Sequence, residues 1–242
     1  MAKKEKNCDP TDPADDRKGD SWDYVALDPE HRLVVSVVPG ERTAENAQAV
    51  VDDFKRRTGG RVMNLMTSDG FPAYEAAILE AYGETVTPPR TGKRGRPRSP
   101  YKVPPRDLNY AVVEKTREKG RVVSVVTRVV FGTMAAVAAA LGVSQVSRAI
   151  NTSFVERQNA TDRHRNARKA RKTYRFSKDW RCHEAVTYLT LYTYNFCWPV
   201  RMLRVRDESG GWVERSPAMA AGLTDHVWSM SEWLRFPAVR RS

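Results

Sequence analysis

Glu156 heads one of the most basic runs in the chain: Ser153-Phe154-Val155-Glu156-Arg157-Gln158-Asn159, then Arg163, Arg165, Arg168, Lys169, Arg171 and Lys172. At 100° per residue, Glu156, Asn159, Ala160, Arg163 and Ala167 share one side of a helix, and Arg157, His164, Arg168 and Arg171 form a neighbouring stripe. On residue types alone, the simplest account is a solvated helix whose acid offsets some of its arginines. A helix polar nearly all round has little apolar face to hold it, so its basic side suits an anion and its alanine side suits close packing on a sheet. A second acid, Asp69 in Thr67-Ser68-Asp69-Gly70-Phe71, is read at the C-terminal end of a short strand and before a helix. Ligands bind at that edge of α/β sheets, although Asp-Gly serves equally as a turn or cap. Such acids beside such cations suit attack on a phosphodiester. The nucleophile must be activated, the leaving oxygen stabilised and the phosphate charge neutralised, which two Mg²⁺ ions about 3.5–4 Å apart can do. Mg²⁺ takes oxygen ligands and keeps waters or substrate phosphates, so a few convergent carboxylates suffice.

Composition points to the same kind of partner. The 242 residues carry a formal charge of +12, with 41 Lys and Arg against 29 Asp and Glu. The excess lies in two blocks, Lys93 to Arg106 and Arg157 to Arg175, as phosphate contacts with salt-sensitive affinity would require. No apolar stretch approaches the roughly 18 residues of a spanning helix, and nothing apolar follows the N-terminal lysines to make a signal peptide. A soluble, cytoplasmic protein without a membrane partner is expected. Cys8, Cys182 and Cys197 are odd in number and lack C-x-x-C spacing, and four scattered His give no zinc pattern.

The elements that must position the two acids follow from periodicity. Residues 1–19 read as a flexible arm that buries nothing. Residues 20–86 read as the first part of a core: a hairpin from Trp22 to Val38, a helix capped by Thr43 with Ala44, Ala47, Val50, Val51 and Phe54 inward, a strand over Arg61 to Met66 ending at Asp69, and a helix from Pro72 to Tyr82. Residues 87–150 read as a basic, Pro-rich linker and an inserted lobe, a hairpin over Tyr110 to Phe131 with a short Ala-rich helix after it. Within the linker, Lys93-Arg94-Gly95-Arg96-Pro97 resembles an AT-hook core, whose two arginines lie along a narrow minor groove; a generic solvated linker is the other reading. Residues 151–198 hold the Glu-bearing helix and a second helix, capped by Ser177, with Cys182, Ala185, Val186, Leu189, Tyr192, Thr193 and Phe196 on its core side. Residues 199–242 form a tail with a turn at Glu208 to Gly211, a cap at Ser216-Pro217 and a capping box at Ser229 to Glu232. Hairpin, helix, strand ending in Asp, insertion and helix with Glu is the order of an RNase H-like mixed α/β sheet with flanking helices, the retroviral integrase type.

Four segments together resemble the DDE domain of bacterial insertion-sequence transposases, and most of all the family of the first-numbered insertion sequence. They are Thr67-Ser68-Asp69-Gly70-Phe71-Pro72-Ala73-Tyr74, Phe154-Val155-Glu156-Arg157-Gln158-Asn159, Tyr194-Asn195-Phe196 and Ser216-Pro217-Ala218-Met219-Ala220-Ala221-Gly222. The resemblance runs from about Asp20 to Trp233. It implies metal-dependent cleavage and transfer of DNA strands, with Asp69 and Glu156 holding Mg²⁺ or Mn²⁺, two ions in a complete site. It also implies that the basic stripe meets element-end or target DNA, with Asn159 and Arg163 beside it, and that the protein works as a homo-oligomer on DNA.

The family's first catalytic Asp lies in an Asp-Glu-x-Trp stretch upstream of the hairpin, and no such stretch is present here. The chain is therefore expected to be N-terminally truncated, with Asp23 and Asp28 as the stand-ins for that acid; Asp28 in Leu27-Asp28-Pro29 is more simply a turn residue. The rival expectation is an inactive DNA-binding fragment or inhibitor. A resolvase-like nuclease and a basic interaction protein without a metal site are the other readings.

Overall fold

In a computed structural model, the structure describes residues 8–9, 11–13, 15, 20–89, 98–170 and 174–237. Its strands are β1 (Trp22–Asp28), β2 (Leu33–Gly40), β3 (Met66–Asp69), β4 (Glu84–Val86), β5 (Tyr101–Val103), β6 (Tyr110–Glu118), β7 (Arg121–Phe131), β8 (Val205–Arg206) and β9 (Trp212–Val213). Its α-helices are α1 (Ala44–Arg57), α2 (Ala73–Tyr82), α3 (Met134–Val143), α4 (Ser153–Arg165), α5 (Trp180–Cys197), α6 (Pro217–Ala220) and α7 (Met230–Arg235). The protein is thus mixed α/β. It forms two compact units, one of residues 42–153 and one in which residues 1–41 join 154–242.

In the unit of residues 42–153, Thr43 caps α1 by accepting from the Asn46 N–H at 3.2 Å; of the expected inward face, Ala47, Val50 and Val51 are buried, whereas Phe54 is half-buried and Ala44, in the first turn, is exposed. Helix α2 packs on α1. The sheet runs β3-β6-β7, with β3 parallel and β7 antiparallel to β6. Two expectations are corrected here. The strand after α1 begins at Met66 rather than Arg61 and includes Asp69 as its last residue. The hairpin of β6 and β7 is not a separate lobe, because β6 pairs directly with β3, Asp69 opposite Val113. The reason lies in Tyr110-Ala111-Val112-Val113, a run buried throughout, as a strand flanked on both edges demands. Lys119 and Gly120 both take positive φ, 47° and 81°, as a two-residue turn with the twist of its strands requires.

In the other unit, β1 and β2 form the expected hairpin, and Val34 and Val37 pack with Leu191 and Tyr194 of α5. Helix α5 presents a different face from the one its apolar residues suggest. His183, Thr187, Leu191, Tyr194 and Asn195 are buried, whereas Leu189 is exposed. Its cap is Asp179 rather than Ser177, accepting from the Arg181 N–H at 2.7 Å. Polar partners set the rotation. The Asn195 amide is bonded twice to Val34, accepting from its N–H at 3.0 Å and donating to its carbonyl at 2.7 Å. Asn195→Leu should therefore cost on the order of 2–3 kcal/mol in urea unfolding, since it strands two buried backbone groups; a change of a few tenths would refute that pairing. The caps at Ser216 and the Ser229–Glu232 capping box form as expected. Asp15 is buried and accepts from the Asp9 N–H, so the arm of residues 1–19 does bury a side chain. No helix among the described residues is long and apolar enough to cross a membrane.

Candidate carboxylate and nucleic-acid sites

Asp69 ends β3 as an exposed residue. Its Oδ1 accepts from the Phe71 N–H at 3.3 Å, a turn contact. Pro72, not Asp69, is the residue before α2. Beside Asp69, the Tyr110 hydroxyl lies 2.6 Å from the Ser68 hydroxyl. Burial pushes the Tyr110 phenol up; the Ser68 bond works against this, and Glu75 and Asp69 add to it, so the phenol stays protonated at neutral pH. Two further acids flank this edge. Glu114, one residue beyond the register partner of Asp69, lies 3.6 Å from Arg128, and Glu75 of α2 lies 3.7 Å from the same guanidinium. Sequence reasoning missed both, although Glu114 follows directly on the buried run that pairs with β3.

Glu156 sits in the first turn of α4 and is exposed, as are Arg157, Arg163 and His164; Asn159 is half-buried. The buried positions of α4 are Gln158 and Asp162. Ala160 and Ala167, expected to pack on a sheet, are exposed instead. Polar groups hold the helix in place of alanines. Lys169 reaches Asp162 at 2.7 Å and Asp23 of β1 at 2.9 Å, and His183 Nε2 lies 3.2 Å from Asp23 and 2.9 Å from the Ser21 hydroxyl. The Arg165 guanidinium stacks 3.2 Å above the Trp198 ring.

That cluster revises three expectations. The helix stops at Arg165, so Arg168 and Lys169 follow it in a turn. The Lys169 side chain is only 6% exposed between two aspartates, so its charge is spent inside the unit and not on DNA. Asp23 is held by Lys169 and His183 rather than offered to a metal, and Asp28 accepts from the Glu30 N–H and lies 2.6 Å from His31 Nδ1, a turn role. Arg168 remains exposed. Arg94, Arg96, Arg171 and Lys172 lie outside the described residues.

The two acids of the cluster titrate in opposite directions. Burial raises the Asp23 carboxyl, but the His183 bond and the Lys169 charge outweigh it and hold the group below its ordinary value. For Asp162, burial dominates over Lys169 and pushes the carboxyl up. Its Oδ1 is buried without a partner.

Asp69 and Glu156 belong to different units, 42–153 and 154–242. Each is an exposed oxygen donor of the type Mg²⁺ takes. Among the described residues, no group of three or more His, Cys, Asp or Glu is arranged to hold a metal ion. Compared with known families, proteins and structures, the chain matches no family model, no curated protein and no solved structure.

Proposed function

We propose that the chain is the DDE-type core of an insertion-sequence transposase with an RNase H-like fold, acting on DNA by metal-dependent strand cleavage and transfer. The observation that carries this reading is the placement of Asp69: an exposed carboxylate at the C-terminal end of a strand paired in parallel, where α/β sheets bind ligands. Glu156 supports it as an exposed acid at the head of a helix whose outward face carries Arg157 and Arg163. In this reading, Asp69 and Glu156 each contribute a carboxylate toward Mg²⁺ or Mn²⁺, and the bound metal supplies charge neutralisation at the phosphate. Arg157, Arg163 and Arg168 hold the DNA backbone, so affinity falls with added salt. At the same edge Glu75 and Glu114, exposed like Asp69, lie 3.7 and 3.6 Å from the Arg128 guanidinium.

A second reading, DNA binding without chemistry, is favoured by one observation. Asp23, one of the two stand-ins for a third acid, is closed off by Lys169 and His183. One experiment separates the two. Labelled element-end duplex and a target plasmid are incubated with the chain in Mg²⁺, beside the Glu156→Gln variant. Joined product from the parent chain alone supports the transposase. Equal, salt-sensitive binding by both without product supports the binding fragment.

A further inference from the structure

We infer that β7 is an association surface for a second copy of this chain, pairing antiparallel with its own counterpart about a two-fold axis at Val126. Strand β7 ends the sheet order β3-β6-β7, so its outer edge has no strand partner among the described residues. It is 11 residues long and lacks proline. Over its outer part, Val122, Val123, Val125 and Val126 are 44–56% exposed, on both faces of the ribbon. A long apolar edge of this kind is a template for strand addition, and proteins ordinarily blunt it with charge or proline.

The occupant follows from length, regularity and charge. Strand β3, the other terminal strand of this sheet, has four residues, and β1 and β2 have seven and eight, so another β7 is the edge that leaves fewest backbone groups unpaired. Val123 and Val130 are extra residues in the ladder with β6, which leaves Ser124 to Val129 as the regular stretch. Val126 lies inside it and midway between Arg121 and Phe131. A two-fold axis there sets Val126 against itself, Val125 against Thr127, Ser124 against Arg128 and Arg121 against Phe131. Neither arginine of the strand faces a like charge, and β-branched residues meet at the centre, where cross-strand pairs stabilise a sheet. Such an interface is isologous and closes as a dimer. It is apolar, so unlike a DNA-bridged assembly it persists in high salt and after nuclease treatment.

The test is the mass of the full chain in solution, after nuclease treatment and at high salt, by light scattering or sedimentation. The parent chain should be a dimer that dilutes to monomer, and Val126→Lys should be monomeric with unchanged far-UV circular dichroism. Val126→Cys should cross-link to itself on mild oxidation, because directly opposed residues of antiparallel strands stand about 4.5–5.5 Å apart, within disulfide reach. The parent chain, with its free Cys8, Cys182 and Cys197, controls for other thiols. A parent chain monomeric at every concentration, a Val126→Lys dimer as tight as the parent, or no Val126→Cys cross-link above that control would each overturn the inference. So would a parent monomer whose DNA retention drops on Val126→Lys, which would make the ribbon a nucleic-acid contact instead.

Discussion

Lys169→Ala is expected to destabilise the unit formed by residues 1–41 and 154–242 by about 3–5 kcal/mol, the cost of breaking a buried ion pair from one side. Lys169 is the cation between Asp23 and Asp162, and both it and Asp162 are 6% exposed. Without it, two aspartates inside the unit lose their compensating charge. Asp162→Asn should behave differently, shifting stability by no more than about 1 kcal/mol at pH 7, because burial already disfavours that carboxylate. The pH dependence separates the two acids. Asp23 has a depressed folded value, so its contribution is present above the ordinary aspartate range and is lost as pH falls through that lowered value. Asp162 has the opposite sign: its contribution is full below the ordinary range and is lost as pH rises through its raised value. All six tryptophans lie in this unit, so urea unfolding followed by tryptophan fluorescence reports it selectively. A Lys169→Ala loss under about 1 kcal/mol would show that the cluster does not hold the unit together.

The second large effect is on the strand joining proposed above. Glu156→Gln keeps the side-chain shape at an exposed position, so fold and DNA retention should stay close to the parent. Joining should fall by about 100-fold or more, since even residues that only support a metal ligand cost about 10–100-fold when changed. Asp69→Asn should match it. Arg163→Ala should act the other way, weakening DNA binding and flattening its salt dependence by about one phosphate contact while sparing the chemistry at saturating DNA. If Glu156→Gln and Arg163→Ala gave the same profile, Glu156 would be a surface acid of a binding helix and no more.

The sequence made the ends of elements plain where a local device fixes them. Thr43, Ser216-Pro217 and Ser229 with Glu232 are caps whose bonds lie within one turn, and the hairpin of β1 and β2 is held by near neighbours. The position of Asp69 at a strand end was legible for the same reason, with Gly70 and Pro72 directly behind it. What failed was anything decided by distant polar partners. The buried face of α5 was misread because His183 and Asn195 turn inward toward Ser21, Asp23 and the Val34 backbone, about 160 residues away in sequence. Lys169 looked like one more cation in a basic run, and only the fold brings it to Asp23. The parallel pairing of β6 with β3 was likewise hidden by the 40 residues between them.

Metal-dependent joining by the chain itself tests the proposed function most directly. Labelled element-end duplex and supercoiled plasmid are incubated with the parent chain in Mg²⁺, in Mn²⁺ and in EDTA, with Asp69→Asn and Glu156→Gln alongside. The transposase reading predicts covalent joining of the end to the plasmid in either metal, none in EDTA and at most about 1% of the parent rate in each variant. Plasmid and duplex bound with ordinary salt dependence, but neither nicked nor joined in any metal, would contradict it.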